Sequence, residues 1–426
     1  MPGFRKANSI KGETSVAGDK SISHRAVMLG AIAGGDVTIS NFPNSGDCLS
    51  TVSVMRGLGA EIIENARHCL TGRGRGLYGL KAPAKQLYAG NSGTTIRLAS
   101  GLLAGQKFNS SITGDGSLLK RPMDRIIGPL RKMGADIKSE KDKYPPLEIK
   151  GGGLNAADHK LPLASAQVKS CILLAGLYAE GTTSVKEPYP SRNHTELMLG
   201  AMGIKITGEN GRTCLKGGRE LKAVEVNVPG DISSAAFLIV AALITPGSEL
   251  LVKNVGVNPT RTGLLDVLNE MGADIMLENR REANGEPVAD IRVKHSGLKA
   301  ANVGAEIIPR LIDEIPVLAV AAARAEGKTV ITGAGELRVK ETDRIAAVCG
   351  QLKNMGADIE ECEDGLAING PVDLHGGQVC SYGDHRMAMA LRVAALVADK
   401  DTVIDDVDCI NISFPGFLEK IDELSK

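Results

Sequence analysis

The sequence predicts an α/β protein of six like units arranged as two three-unit domains, and three observations carry that expectation. A strand-like phrase recurs six times, as Val37-Thr-Ile-Ser-Asn41, Ser110-Ser-Ile-Thr-Gly114, Thr182-Thr-Ser-Val-Lys186, Ser248–Asn254, Thr329-Val-Ile-Thr-Gly333 and Thr402-Val-Ile-Asp-Asp406. A helix-ending phrase, Leu or Met then Gly then a strand, recurs five times with its glycines at 59, 134, 203, 272 and 356. The halves also echo each other: Val16-Ala-Gly-Asp19 with Ser21 matches Val228-Pro-Gly-Asp231 with Ser233, an offset of 212 in a chain of 426 residues.

Each unit reads helix, strand, polar loop, helix, glycine cap, strand and hairpin. The equivalent points in the two halves predict an N-terminal domain over 14–227. Residues 228–426, joined by the opening strand within 1–13, form the second domain. Gly72-Arg-Gly-Arg-Gly76 and Gly151-Gly-Gly153 read as hairpin turns. No helix follows the first, so it is not a dinucleotide fingerprint.

The bulk numbers exclude several functions. With 50 basic and 50 acidic residues the formal net charge is zero, which argues against a nucleic-acid partner. Aromatic residues are 3% with no Trp, so base-stacking platforms are not expected. The eight cysteines form no C-x-x-C pair and have no histidine partners at zinc spacing, so no metal site is expected. They read as reduced thiols of a cytoplasmic protein. Residues 1–16 hold no signal-peptide core. The longest apolar run, Ala235–Ile244, is too short to span a bilayer, so no membrane partner is expected.

The residues that suggest chemistry lie where the pattern starts helices. Seven such starts carry Lys or Arg with no counter-charge to suit the helix dipole. They are Gly18-Asp19-Lys20-Ser21 to Arg25, Gly90-Asn91-Ser92-Gly93-Thr94 to Arg97, and Lys120-Arg121-Pro122 to Arg125 with Pro122 at the first helical position. The others are Ser165-Ala166-Gln167-Val168-Lys169, Ser191-Arg192, Arg338-Val-Lys340-Glu341-Thr-Asp343-Arg344, and Asp384-His385-Arg386. Asp313-Glu314 precedes an apolar helix; one acid is expected to cap it, leaving the other, with Asp313 favoured, as a base. Each start alone is explained by ordinary capping and surface pairs, such as Glu341 with Arg344 at i,i+3. Aimed together at one interdomain cleft, they would gather positive potential for a small substrate bearing phosphate and carboxylate groups.

At these residues the sequence closely resembles the 5-enolpyruvylshikimate-3-phosphate synthase family. The motifs are Gly18-Asp-Lys-Ser21, Gly90-Asn-Ser-Gly-Thr94, Arg338–Arg344 and Asp384-His-Arg-Met-Ala-Met389, and the likeness runs along essentially the whole chain. The resemblance implies a two-domain inside-out α/β barrel, each domain three copies of a βαβαββ-type unit, with the active site in the interdomain cleft. It implies transfer of the enolpyruvyl group of phosphoenolpyruvate to the 5-hydroxyl of shikimate 3-phosphate by addition and elimination. No cofactor is implied, and a monomer that closes on its first substrate is expected.

Carried over by position, Lys20, Ser21, Arg25, Ser165, Ala166, Gln167, Arg192, Asp313 and Lys340 would hold shikimate 3-phosphate. Lys20, Asn91, Gly93, Thr94, Arg121, Gln167, Arg344 and Arg386 would hold phosphoenolpyruvate. Asp313, Glu341 and Lys20 are the catalytic candidates, Asp313 at the hydroxyl and Glu341 at the methylene carbon. Ile412 stands where many relatives carry Lys, so that contact is not expected. Four phrases resemble the glyphosate-insensitive branch: Gly18-Asp-Lys20, Ser165–Lys169, Arg192–Glu196 and Asn258-Pro-Thr-Arg261. Gly93 nevertheless stands where some tolerant members carry Ala. The nearest rival, an enolpyruvyl transferase acting on UDP-N-acetylglucosamine, would carry a reactive Cys in the loop Gly114–Arg121, which has none. Neutral charge and scarce aromatics argue against an RNA-end cyclase, and a non-catalytic scaffold would not require both acids among the cations.

Overall fold

Five helices end in the same way. Leu58, Met133, Met202, Met271 and Met355 are each the last buried side chain of a helix. The glycine that follows each has φ between 77° and 96°, the left-handed region that side chains with a β-carbon avoid. The backbone closes as a double cap: in the second case Gly134 N–H donates to Arg131 O and Ala135 N–H to Leu130 O. The five predicted helix ends are therefore real, and each feeds a strand.

The computed structural model describes residues 3–426. Its helices in chain order are α1 (Lys20–Ala31), α2 (Gly46–Gly57), α3 (Gly93–Gly105), α4 (Asp124–Lys132), α5 (Ala166–Gly176) and α6 (His194–Ala201). Then follow α7 (Ile232–Ile244), α8 (Gly263–Glu270), α9 (Ile315–Ala323), α10 (Arg344–Asn354), α11 (His385–Ala395) and α12 (Phe417–Leu424). Strands alternate with them, so the α/β class holds. No helix among the described residues is long and apolar enough to cross a membrane.

The chain divides into two compact units. One holds Gly18–Val228 together with Glu282–Glu286. The other holds the described residues up to Ala17, Pro229–Arg281 and Pro287–Lys426. The short segment Glu282–Glu286 is the tip of the hairpin Asp274–Ala283 and Glu286–Lys294, and the repeat pattern does not announce that it joins the first unit. There, Asn284 accepts from Asn227 N–H and donates to the Glu225 carbonyl, and Glu286 meets His194 at 2.7 Å.

In the N-terminal unit three four-stranded sheets share one plan. A short edge strand lies parallel to the strand that follows the first helix of each repeat, and an antiparallel hairpin completes the sheet. The sheet of Asp36–Ser40 takes its parallel edge from Val226–Asn227, so the end of the third repeat closes on the first. In the C-terminal unit, Lys11–Ser15 supplies that edge to Glu249–Gly256. The last repeat is shorter: Gln378–Val379 pairs Val403–Ile404, and α12 follows where the other repeats place a hairpin.

The first helix of each N-terminal repeat is almost wholly buried, while α4 and α12 keep exposed faces. In α7 and α9 every residue is buried, as is all of α11. These three pack on one another, and α3 packs along α5. Each unit has its own apolar core. A helix buried all round reads as uniformly apolar rather than two-faced, which matches the run Ala235–Ile244.

The α3–α5 contact depends on Gly101. A β-carbon there would lie 2.3 Å from the Cys171 carbonyl oxygen, a backbone atom that cannot swing aside. Gly101→Ala is therefore expected to destabilise the N-terminal unit by about 1–3 kcal/mol, the usual cost of overpacking. Urea unfolding checks this, and a midpoint equal to that of the parent chain refutes the close approach.

Candidate active site

In the N-terminal unit the candidate residues stand at the starts of α1, α3 and α5. Asp19 caps α1 by accepting from Ile22 N–H at 2.9 Å. Lys20, the first residue of α1, reaches Asp47 in the first turn of α2 at 2.8 Å. Arg25 is buried one turn further on. It donates to Thr195 Oγ1 at 2.6 Å, Ser170 Oγ at 2.7 Å and the Ser21 carbonyl at 2.7 Å. Burial lowers its pKa to about 10, against the pull of Glu196 and Asp19, so it is a cation at neutral pH.

His24 is also buried, and burial lowers its pKa to about 3 despite Asp47 nearby, so its ring is neutral. It starts a chain of hydroxyls through Thr51 (2.6 Å) and Thr95 (2.7 Å) to Ser92 (2.8 Å), the cap of α3. That chain ties α1, α2 and α3 together behind Asn91, Gly93 and Thr94.

Gln167 is held at both ends. Its amide donates to Thr94 Oγ1 at 2.8 Å and its carbonyl accepts from Arg97 at 2.7 Å. A β-carbon on Gly93 would lie 3.2 Å from Arg97 Nη1 and 3.3 Å from Arg121 Nη1. Gly93, Thr94, Arg97, Arg121 and Gln167 thus form one cluster, two cations beside the start of α3 that Ser92 caps. Ser165 caps α5 weakly toward Val168 N–H at 3.4 Å, and Ala166 is the first residue of that helix. Arg192 is half-buried just before α6, close enough to Arg25 for their charges to oppose each other.

In the C-terminal unit Arg344 is the hub. Its side chain is 1% exposed. It donates to Asp384 Oδ2 at 2.8 Å and to Glu341 Oε2 at 2.7 Å, and its Nη1 lies 3.6 Å from Asp313 Oδ1. Arg386 donates to the Asp313 carbonyl at 3.2 Å and lies 3.8 Å from its carboxylate. Asp384 caps α11 through Arg386 N–H at 2.8 Å. Burial, the largest single influence, would raise the Asp384 pKa, but the Arg344 and His385 charges and the Arg344 hydrogen bond together hold the carboxyl below its usual range. The same carboxylates hold the Arg344 pKa above its usual value against burial. Glu341 is partly exposed and Lys340 is half-buried beside it.

These contacts correct three expectations. The helix-start cations are not uncompensated: Lys20 has Asp47, and Arg344 has Asp384, counter-charges 27 and 40 residues away in sequence. Neither Asp313 nor Glu314 caps α9 with its side chain. Glu314 is buried and accepts from Ser233 Oγ at the start of α7, while Asp313 faces the two arginines. Pro122 precedes α4 instead of opening it, because Met123 N–H bonds to Lys143 O and the helix starts at Asp124.

Arg338 and Asp343 brace the loop. Arg338 bridges Asp343 at 2.8 Å and Glu361 at 2.9 Å, and Asp343 caps α10 through Ala346 N–H at 3.1 Å. Sequence reasoning missed Asp47, Arg97 and Asp384 as parts of these clusters. Arg97 and Asp384 stood inside quoted motifs, but their partners lie in other repeats.

A protein-family model described as EPSP synthase (3-phosphoshikimate 1-carboxyvinyltransferase) matches residues 4–421. The 3-phosphoshikimate 1-carboxyvinyltransferase of Bacillus licheniformis is 52% identical over 423 residues, 99% of each chain. That of Thermoanaerobacter pseudethanolicus is 52% identical over 420 residues, again 99% of each. The solved EPSP synthase of Acinetobacter baumannii superposes with a TM-score of 0.90 at 47% identity, covering 99% of this chain and 97% of that one.

Proposed function

The chain belongs to the EPSP synthase family and transfers the enolpyruvyl group of phosphoenolpyruvate to shikimate 3-phosphate, and from that premise we propose which of its residues do the work. Lys20, Ser21, Arg25, Ser165, Ala166, Gln167 and Arg192 in the N-terminal unit, with Asp313 and Lys340, hold shikimate 3-phosphate. Lys20, Asn91, Gly93, Thr94, Arg121, Gln167, Arg344 and Arg386 hold phosphoenolpyruvate. A site built from these residues needs no partner subunit, which supports a monomer, and the cytoplasm is the proposed compartment.

The reaction needs a base for the 5-hydroxyl and an acid for the methylene carbon. The hydroxyl oxygen attacks C2 while C3 takes a proton, giving a tetrahedral ketal. Loss of a proton from C3 then reforms the double bond as the C2–O bond to phosphate breaks. The two acids exchange roles between the steps. The observation that carries this reading is that Asp313 and Glu341 both face Arg344, at 3.6 and 2.7 Å. One buried cation therefore holds two carboxylates near the phosphoenolpyruvate anion it attracts. Asp313 serves the hydroxyl and Glu341 the methylene carbon. Lys20, which pairs with Asp47 at 2.8 Å, and the arginines offset charge on the departing phosphate.

Phosphate release, with each substrate omitted in turn, tests the reading. Release is expected only with both present, and its absence then refutes the assignment. The four sequence phrases support membership of the glyphosate-insensitive branch, and the same assay tests the tolerance that membership would bring. Competitive inhibition at low micromolar glyphosate would remove it.

A further inference from the structure

Lys169 lies outside every contact assigned so far, yet it is among the most buried cations of the N-terminal unit. Its side chain is 4% exposed. An ammonium has three donors, and here all are used. Nζ meets Glu187 Oε2 at 2.8 Å, Glu196 Oε1 at 2.8 Å and the Ser191 carbonyl at 3.4 Å. Burial would lower its pKa, but the two glutamates outweigh that and raise it, so the charge is kept. With no donor left over, Lys169 has nothing to give a ligand.

Its partners reach three of the residues assigned to shikimate 3-phosphate: Ser165 directly, Arg192 through its neighbour Ser191, and Arg25 through charge. Glu187 Oε1 accepts from Ser165 N–H at 3.0 Å and from Ser191 Oγ at 2.6 Å, which fixes the start of α5 against the loop that carries Arg192. Glu196 lies in the first turn of α6 beside Thr195. Thr195 and Ser170, themselves 2.7 Å apart, take two of the Arg25 donors. Glu196 is also the largest electrostatic support of the Arg25 cation. Arg25, Lys169, Glu187 and Glu196 are two charges of each sign in one buried group.

We propose that Lys169 is a positioning residue for the shikimate 3-phosphate half of the site: through Glu187 and Glu196 it sets Ser165, Arg192 and Arg25 in register with one another. The inference rests on the assignment of those three residues under the proposed function. It differs from mere stabilisation in what it predicts for binding.

Lys169→Met alone strands two buried carboxylates and is prone to misfold. Lys169→Met combined with Glu187→Gln removes one charge of each sign and is the decisive variant. It is expected to unfold near the parent midpoint and to keep kcat at saturating substrate within about threefold. Its Kd for shikimate 3-phosphate, measured by calorimetry, rises roughly tenfold to hundredfold, the usual cost of loosening a supporting shell, while KM for phosphoenolpyruvate barely moves. Lys169→Arg, which keeps the charge, recovers part of that affinity. A folded double variant that binds shikimate 3-phosphate like the parent overturns the proposal. Arg192→Met separates the two levels. If it too leaves binding intact, the site assignment falls and the positioning role with it. If it abolishes binding while the double variant does not, only the positioning role falls.

Discussion

Replacing Glu341 by Gln is expected to lower kcat by about 10²–10⁴, the range that general acid–base groups contribute. Both KM values should change by less than about threefold. The split follows from the contacts. Glu341 accepts one hydrogen bond from Arg344 at 2.7 Å, and a Gln carbonyl can accept the same bond. Arg344 therefore stays in place, still fixed by Asp384 on its other edge at 2.8 Å. What the amide cannot do is give and take a proton at C3. Single-turnover measurement with both substrates reads the chemical step directly. Equal losses in kcat and in substrate affinity would mean that Glu341 only holds Arg344, the ordinary i,i+3 pair, and has no part in proton transfer. Asp313→Asn gives the contrast: it leaves the Glu341 bond intact, so exchange of label into the methylene carbon separates the two acids.

How much of this was legible beforehand follows the range of each interaction. The strand phrase Thr182–Lys186 is a strand over those same residues, and Val37–Asn41 is one over Asp36–Ser40. The glycine caps at 59, 134, 203, 272 and 356 all adopt positive φ. These features are decided within a few residues by turn chemistry and side-chain period, so a single sequence displays them. The counter-ions are not of that kind. Lys20–Asp47 depends on how the two helices of one repeat meet, and Arg344–Asp384 on which helix starts the packing of neighbouring repeats brings together. The same holds for Gln167, whose two partners Thr94 and Arg97 come from the preceding repeat. A motif marks the helix start; its electrostatic state belongs to the assembled core. The hairpin tip Glu282–Glu286 is a further case, since nothing in its own residues shows that Asn284 and Glu286 have partners near Glu225 and His194.

Breaking the Arg344–Asp384 pair from one side should strongly destabilise the C-terminal unit. Their side chains are 1% and 0% exposed, so neither charge has water to fall back on. Arg344→Met leaves Asp384 buried without its cation and is expected to cost about 3–5 kcal/mol, as breaking a buried pair from one side usually does. Adding Asp384→Asn should recover most of that loss, because the stranded charge is gone and the amide can still accept the capping bond from Arg386 N–H. Catalysis should not recover with it, since the assigned phosphoenolpyruvate cation is missing from both variants. Acid unfolding supplies an independent check. The Asp384 carboxyl is held below its usual value in the folded chain, so the folded state binds fewer protons than the unfolded one there. The contribution is therefore fully present above the unfolded value of about 4 and is lost as pH falls below it. In the Asp384→Asn single variant that acid-dependent part of the stability curve should flatten. An undiminished slope below pH about 4, together with an Arg344→Met variant as stable as the parent, would show that the pair is not what holds α10 against α11.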